Sequence, residues 1–182
     1  MNRRDALKTT TALLGSVMVG SSGMLTACGP ARREAASGVL SHDDQVLVEE
    51  IADTLLPPTP ASPGAKAAGV GATINLILTD CYKPDAQQRV VQGLKEFRTM
   101  CRDRCGEGFA SLPRREREQL LREVDAESQK AGETHYFGLV RELAHGAYFS
   151  SEIGVTQALR YVPVPGRWTG CVPLAPGQPA WG

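Results

Sequence analysis

Two cysteines at helical spacing are the first residues whose chemistry needs an explanation. Cys101 and Cys105 are four residues apart, which places both thiols on one face of a helix. They could bind a soft metal ion, form disulfides or pack in the core, where free cysteine often acts as a small apolar residue. Two ligands do not complete a metal site. We therefore expect packing or a bridge to Cys171, with Cys105–Cys171 as the possible disulfide.

A glutamate and a histidine form the second candidate pair. Glu142 stands three residues before His145, the Glu-x-x-His spacing that di-iron helical bundles use. Such a site needs a second pair and two further carboxylates, and the sequence contains no second pair. Nucleophile elbows, phosphate-binding loops and dinucleotide-binding motifs are also absent from it. The sequence predicts no catalytic residue, and no metal or cofactor bound by this chain.

The first residues of the chain have the composition of an export signal. Arg3 and Arg4 are adjacent and precede a stretch, residues 9–27, without a charged residue. This stretch is only weakly apolar, which favours the twin-arginine route for prefolded proteins. It ends in Leu-Thr-Ala before Cys28, a lipobox-like sequence in which the cysteine would be acylated. We predict a periplasmic, membrane-anchored lipoprotein with a signal peptide over residues 1–27, a polar tether over 28–40 and a helical domain over 41–182.

The remaining composition limits the size of the core and the kinds of partner. Without residues 1–27 the chain has 155 residues, enough for one domain, and a net charge near −2. A nucleic-acid surface would need a basic face, so we expect no nucleic-acid partner. Aromatic residues make up 5% of the sequence, and it contains 19 glycines and 12 prolines. We therefore expect a modest core with many loops.

Apolar residues recur at three- and four-residue spacing, the pattern of amphipathic helices. Leu47, Ile51 and Leu55 form one such stripe, with Ser41 as its N-cap and Pro57 beyond its end. No segment of any length alternates between apolar and polar residues as a strand would. We predict an all-α domain of five or six helices with an irregular Pro/Gly-rich C-terminal tail. The later helices are expected at about residues 70–82, 85–105, from 111–116 onward, after 134, and at 151–159.

Two groups of short motifs stand towards opposite ends of the helical region. The first is Ala-Asp-Thr-Leu-Leu-Pro at 52–57, continued by Pro-Gly-Ala-Lys-Ala-Ala-Gly-Val at 63–70. The second is Gly-Ala-Tyr-Phe-Ser-Ser-Glu-Ile-Gly at 146–154, with Leu-Arg-Tyr at 159–161 and Pro-Gly-Arg-Trp-Thr-Gly-Cys at 165–171. In this order, and with adjacent arginines at the start, the chain resembles the small subunit (subunit 3) of gluconate 2-dehydrogenase-type enzymes over about residues 41–173.

The resemblance implies a non-catalytic small subunit of a membrane-associated, FAD-dependent sugar or sugar-acid dehydrogenase. The expected partner is a glucose–methanol–choline-type flavoprotein, which would hold the FAD, with a multihaem cytochrome c subunit in some such complexes. The small subunit would assist maturation and export of the flavoprotein. Two alternatives stay open: a free-standing periplasmic binding lipoprotein, and a small metal or redox protein that uses Cys101 and Cys105.

Prolines and aromatic residues of the motifs are the candidates for contact with a partner. A proline-rich segment loses little entropy when it is ordered, and tyrosine and tryptophan often anchor interfaces. The tail could equally pack on its own helices. The predicted interface residues are Pro57, Pro63, Tyr148, Tyr161 and Trp168.

Overall fold

The structure, a computed structural model, describes residues 38–164, 166, 170–173 and 175–181. Over these residues the protein is all-α, as predicted, and contains no strand beyond a single bridge between Arg160 and Trp181. The helices are α1 (His42–Leu55), α2 (Val70–Cys81), α3 (Pro84–Cys105), α4 (Arg114–Ala131) and α5 (Tyr136–Phe149). Short 3₁₀ turns lie in the connections at Ala65–Ala68, Phe109–Ser111 and Gly132–Thr134, and a π-helical turn, Gly154–Ala158, follows α5.

Helix α5 is the centre of the domain, because it contacts each of the other four helices. Half of its 14 residues are buried, and the side chains of Phe137 and Val140 are fully enclosed. The apolar face of α5 thus lies in the core. Of the predicted stripe of α1, Leu47 and Ile51 are buried and Leu55 is partly buried. The apolar faces of the other helices pack against α5 or one another, and their buried residues include Val70, Ile74, Leu78, Val90, Leu94, Phe97, Cys101, Leu120, Leu121 and Val124.

The first helix begins as the sequence predicts. Ser41 caps α1: its hydroxyl accepts a hydrogen bond from the backbone N–H of Asp44 over 3.2 Å and donates one to Oδ2 of Asp44 over 2.6 Å. Asp44 is buried and forms an ion pair with Arg98 of α3. The cap thus fixes the start of α1 and its contact with α3 at the same time.

Helix α2 ends at Cys81, one residue before the predicted end at about residue 82. Cys81 is exposed because the helix ends at this residue and the chain turns away at Tyr82. Gln87 satisfies the carbonyl groups left at this end, since its Nε2 lies 3.0 Å from the oxygen of Leu78, 3.1 Å from that of Thr79 and 2.9 Å from that of Tyr82. A side chain from the following helix therefore caps the C-terminal end of α2.

The domain begins earlier than the sequence boundary at residue 41. Leu40 is 2% exposed and belongs to the core, and its backbone N–H donates to Oδ1 of Asn75 in α2 over 2.9 Å. The predicted tether over residues 28–40 is thus wrong in its last three residues, 38–40, which are folded onto α2. Among the described residues, no helix is both long enough and apolar enough to cross a membrane.

Candidate functional site at the junction of two sequence motifs

The two motif groups meet in space although they are far apart in the chain. The hydroxyl of Tyr148 in α5 donates a hydrogen bond to the backbone oxygen of Pro63 over 2.6 Å, across 85 residues of sequence. The Tyr148 side chain is 3% exposed. Its predicted role as a residue that a partner contacts directly is therefore corrected, because Tyr148 packs inside the domain. The structure brings Pro63 and Tyr148 together, and Pro57 is half-buried.

The chain after α5 makes a tight turn that holds Tyr148 in place. Ser151 Oγ donates to the carbonyl oxygen of Tyr148 over 2.6 Å and accepts from the N–H of Gly154 over 3.0 Å. A Cβ atom at Gly154 would overlap that carbonyl oxygen and lie 2.7 Å from its carbon. Ser151 thus caps the turn after α5, and glycine is required at position 154 for the close approach of the turn to α5.

The proline-rich segment between α1 and α2 is held at both ends. The N–H of Ala65 donates to the oxygen of Leu56 over 2.9 Å, which closes the loop at its base. The N–H of Lys66 donates to Oδ1 of Asp53 over 3.0 Å. At the tip, Thr59 N–H donates to the oxygen of Ser62 over 2.8 Å. We call residues 57–63 the proline loop. Its residues 58–61 are exposed, while hydrogen bonds hold the loop at its base and across its tip.

A shared carboxylate lies beside the base of the proline loop. Glu50 of α1 forms ion pairs with Lys66 and with Arg117 of α4, the latter over 3.0 Å. The hydrogen bond from Lys66 to Glu50 is the main reason that the pKa of Lys66 rises above its ordinary value. The guanidinium of Arg117 also lies 6.0 Å from the ring centroid of Phe109. These contacts connect the loop to α1 and α4, and the sequence analysis missed them because they join residues without a common motif.

The tail after Arg160 closes on itself and leaves its apolar residues exposed. The Arg160 guanidinium lies 4.2 Å from the ring centroid of Trp181, and the Arg160 N–H donates to the oxygen of Ala180 over 2.7 Å. Tyr161 is 53% exposed, Val164 80% and Trp181 50%. The predicted interface residue Trp168 lies outside the described residues. Within the described part of the tail, these aromatic and apolar side chains remain available to a partner.

The four cysteines among the described residues divide into one buried thiol and three exposed ones. Cys101 is fully buried, so its packing is confirmed, and burial raises the pKa of its thiol to about 11. Since the thiolate is the form that binds metals or reacts, Cys101 is poorly suited to either role. Cys81, Cys105 and Cys171 are exposed, and all four thiols are free. The structure does not bring Cys105 and Cys171 into a bridge, and their disulfide stays a prediction.

The histidines serve local structure. The N–H of Phe137 donates to Nδ1 of His135 over 3.2 Å, so His135 caps α5. His145 is exposed, and its Nδ1 is hydrogen-bonded to the oxygen of Arg141 over 2.8 Å. Glu142 is also exposed, and no group of three potential metal ligands occurs in the part of the chain that the structure describes.

The remaining predicted site residues belong to the export signal. Arg3, Arg4 and Cys28 lie outside the described residues, and their roles in export and lipidation stay predictions.

The described residues thus form a small helical domain that presents a fixed loop and an exposed tail rather than a cluster of reactive groups. The chain belongs to the gluconate 2-dehydrogenase subunit 3 family, whose model matches residues 42–166, more than half of the chain. The resemblance predicted from the two motif groups is confirmed. No curated protein and no solved structure is similar enough to the chain to be matched to it. The family makes this chain an accessory subunit of a dehydrogenase complex.

Proposed function

We propose that the protein is a non-catalytic small subunit of a membrane-associated, FAD-dependent sugar or sugar-acid dehydrogenase. In this role it assists the maturation and export of the flavoprotein subunit. The observation that carries the proposal is the family match over residues 42–166, which includes both motif groups up to Gly166. The family is described as subunit 3 of a dehydrogenase, and a third subunit implies a complex with other subunits.

The partner is a glucose–methanol–choline-type flavoprotein that holds the FAD, joined in some complexes by a multihaem cytochrome c. Export through the twin-arginine route would allow FAD to be loaded in the cytoplasm, before the folded pair crosses the membrane. One signal, with Arg3 and Arg4, would then serve both chains. Acylation of Cys28 would hold the exported complex at the periplasmic face of the membrane. The sequence pattern of residues 1–28 supports this part of the proposal.

The proline loop and the tail offer a partner two different kinds of surface. The loop is fixed by Tyr148, Asp53 and its own backbone bonds, so a partner that contacts its exposed tip has little conformational entropy to remove. The tail exposes Tyr161 and Trp181, residue types that often supply much of the binding energy of an interface. Both features support a role in assembly.

The proposal is tested by purifying the complex from native membranes. A tag after Gly182, behind a flexible linker, is used to isolate the chain, followed by mass spectrometry and an absorbance spectrum of the bound flavin. We expect a large flavoprotein in near-equal amount. Recovery of this chain alone, without flavin, would contradict the proposal and favour a free-standing binding lipoprotein.

The export role needs a separate variant. Replacing both arginines in R3K/R4K keeps the positive charge but removes the arginine pair. We expect this change to leave both the small subunit and the flavoprotein in the cytoplasm. If the flavoprotein still reaches the periplasm while the small subunit does not, the joint export of the two chains is excluded.

A further inference from the structure

A cleft opens where the start of α3, the end of α4 and the start of α5 meet. Its volume is about 560 Å³, within the size range of pockets that hold small molecules in other proteins. Arg89 of α3, Ser128 of α4 and Gly138 of α5 line it, together with His135, the residue that caps α5. We call this opening the α5 cleft. Because its lining comes from three helices that pack together in the fold, the cleft is formed by the domain itself.

Hydrogen-bond donors without partners lie in the inner part of the α5 cleft. Ser128 is 5% exposed, and its hydroxyl forms no hydrogen bond within the part of the chain that the structure describes. A Cβ atom at Gly138 would lie 3.3 Å from this hydroxyl oxygen, so the hydroxyl and the backbone of Gly138 are neighbours. Gly138 belongs to the first turn of α5, where N–H groups have no acceptor within the helix and the helix dipole is positive.

The positive charge of Arg89 is also available in the cleft. Its guanidinium donates to the backbone oxygen of Glu133 and forms no ion pair among the described residues, whereas Arg141 of α5 is paired with Asp125. A guanidinium has five N–H groups, so Arg89 keeps further donors for a ligand. His135 accepts the N–H of Phe137 at Nδ1 over 3.2 Å, which leaves the proton of the neutral ring on Nε2 as another donor.

The outer edge of the α5 cleft has the opposite chemistry. Glu133 and Glu142 line it and are exposed, whereas Arg89, Ser128 and His135 are buried or half-buried. Water and salt screen the exposed carboxylates, and their oxygens can accept hydrogen bonds from hydroxyl groups. Donors inside and acceptors outside match a ligand that has a carboxylate at one end and hydroxyl groups along the rest.

We infer that the α5 cleft binds a small polyhydroxy carboxylate. The carboxylate is held by the Ser128 hydroxyl, the Gly138 N–H and the Arg89 guanidinium, and the hydroxyl groups of the ligand donate to Glu133 and Glu142 at the outer edge. This inference goes beyond the proposed function, which assigns the chemistry to the partner and no ligand to this chain. The site needs no partner, because every residue in it belongs to this domain.

Binding is tested by nuclear magnetic resonance on the isotope-labelled full chain, without any partner. The amide signals of Gly132 and Gly138 report on the cleft, and those of Gly69 and Gly106, which do not line it, are the control. The probes are D-gluconate, D-glucose, which has the hydroxyl groups without the carboxylate, and acetate, which has the carboxylate alone. We expect gluconate to saturate the shifts of Gly132 and Gly138 at a concentration at least about tenfold lower than either other compound.

Each other result of this titration contradicts the inference. If acetate acts at the same concentration as gluconate, the cleft is an adventitious anion site only. If glucose does so, the carboxylate is not recognised, and if the signals of Gly132 and Gly138 do not move, the site is excluded. Co-purification of the flavoprotein is measured separately. Gluconate binding without a flavoprotein partner would therefore overturn the proposed function alone, and the reverse result would overturn the ligand site alone.

A serine variant tests where the carboxylate lies. Ser128→Ala removes the unpaired hydroxyl, and we expect gluconate to bind about tenfold more weakly, as for the loss of one hydrogen bond to a charged group. The free energy of unfolding should stay the same, because this hydroxyl forms no bond in the domain itself. Ser111→Ala is the matched control at an exposed serine outside the cleft. Unchanged gluconate binding in Ser128→Ala would exclude the inner end of the cleft as the carboxylate site.

An arginine variant tests whether the charge of the ligand is recognised. Arg89→Gln keeps a donor but removes the positive charge, so we expect it to weaken the binding of gluconate several-fold more than that of glucose. Arg122→Gln is the matched control, because Arg122 is exposed and does not line the cleft. If Arg89→Gln weakens both ligands equally, Arg89 does not bind the carboxylate.

Discussion

The proline loop and the C-terminal tail are both rich in proline and both carry motif residues, but they differ in how they are held. The loop is tied to α5 by the buried Tyr148 hydroxyl and to α1 by Asp53. Among its described residues, the tail closes through a cation–π contact and a backbone hydrogen bond between Arg160 and residues 180–181. An irregular segment is therefore attached to the core where a buried polar side chain binds its backbone, even though its tip stays exposed.

The largest expected difference between core and tail is in thiol reactivity. Cys101 is buried with a pKa of about 11 against an ordinary value near 9, whereas Cys171 in the tail is exposed. At neutral pH we expect iodoacetamide to label Cys171 at least about 100-fold faster than Cys101, because the core shields the Cys101 sulfur from the reagent and burial holds it in the unreactive thiol form. Mass spectrometry of the timed reaction measures both sites. Comparable rates would mean that the core around Cys101 opens readily.

A methyl group at position 154 should destabilise the motif junction. Gly154→Ala places Cβ against the backbone of Tyr148, and we expect the free energy of unfolding to fall by about 1–3 kcal/mol. Gly146→Ala is the matched control within α5, because its Cβ would meet no atom within 4 Å and alanine favours the helix by up to about 1 kcal/mol. Urea denaturation measures both. An equally stable Gly154→Ala variant would show that the turn after α5 can relax.

Removing one hydroxyl should weaken the hold on the proline loop. Tyr148→Phe keeps the ring but removes the donor to Pro63, and we expect a loss of about 0.5–1.5 kcal/mol in the free energy of unfolding. Tyr161→Phe makes the same change at an exposed residue of the tail and should have no measurable effect. Equal effects at the two tyrosines would remove the distinction between loop and tail.

The smallest expected effect on stability is at the end of the tail. Trp181→Ala removes the cation–π contact with Arg160, and we expect the free energy of unfolding to change by less than about 0.5 kcal/mol. Hydrogen exchange at the Arg160 amide, which donates to Ala180, should become faster. A loss as large as that of Tyr148→Phe would instead place the tail within the cooperatively folded core.

The helices could be predicted from the sequence because apolar periodicity and helix capping depend on residues that are close together in the chain. The apolar stripe that contains Cys101, the cap at Ser41 and the start of α5 after Thr134 all follow from periodicity and capping chemistry. The end of α2 was expected at about residue 82, but the helix ends at Cys81, where Gln87 binds the carbonyl groups.

The contacts that build the candidate site could not be predicted in the same way. A tyrosine hydroxyl carries no sequence signal for its acceptor, and the bond from Tyr148 to Pro63 spans 85 residues. The hydrogen bonds from the N–H groups of Val39 and Leu40 to α2 were also missed, because these two apolar residues follow a polar stretch and were assigned to the tether. His135 caps α5 with a ring nitrogen in place of the usual hydroxyl or carboxylate oxygen.

The central position of α5 also has a consequence for the order of events during synthesis. Residues 42–131, which contain the four helices that pack on α5, leave the ribosome before α5 itself. Helices α1 and α2 can pair with each other at that stage, but the faces that contact α5 stay uncovered until residue 149 has emerged. At synthesis rates of about 5–20 residues per second, this interval lasts only seconds, but during it the apolar faces are open to chaperones. Folding is therefore completed only when nearly the whole chain exists, long after its N-terminal residues have emerged.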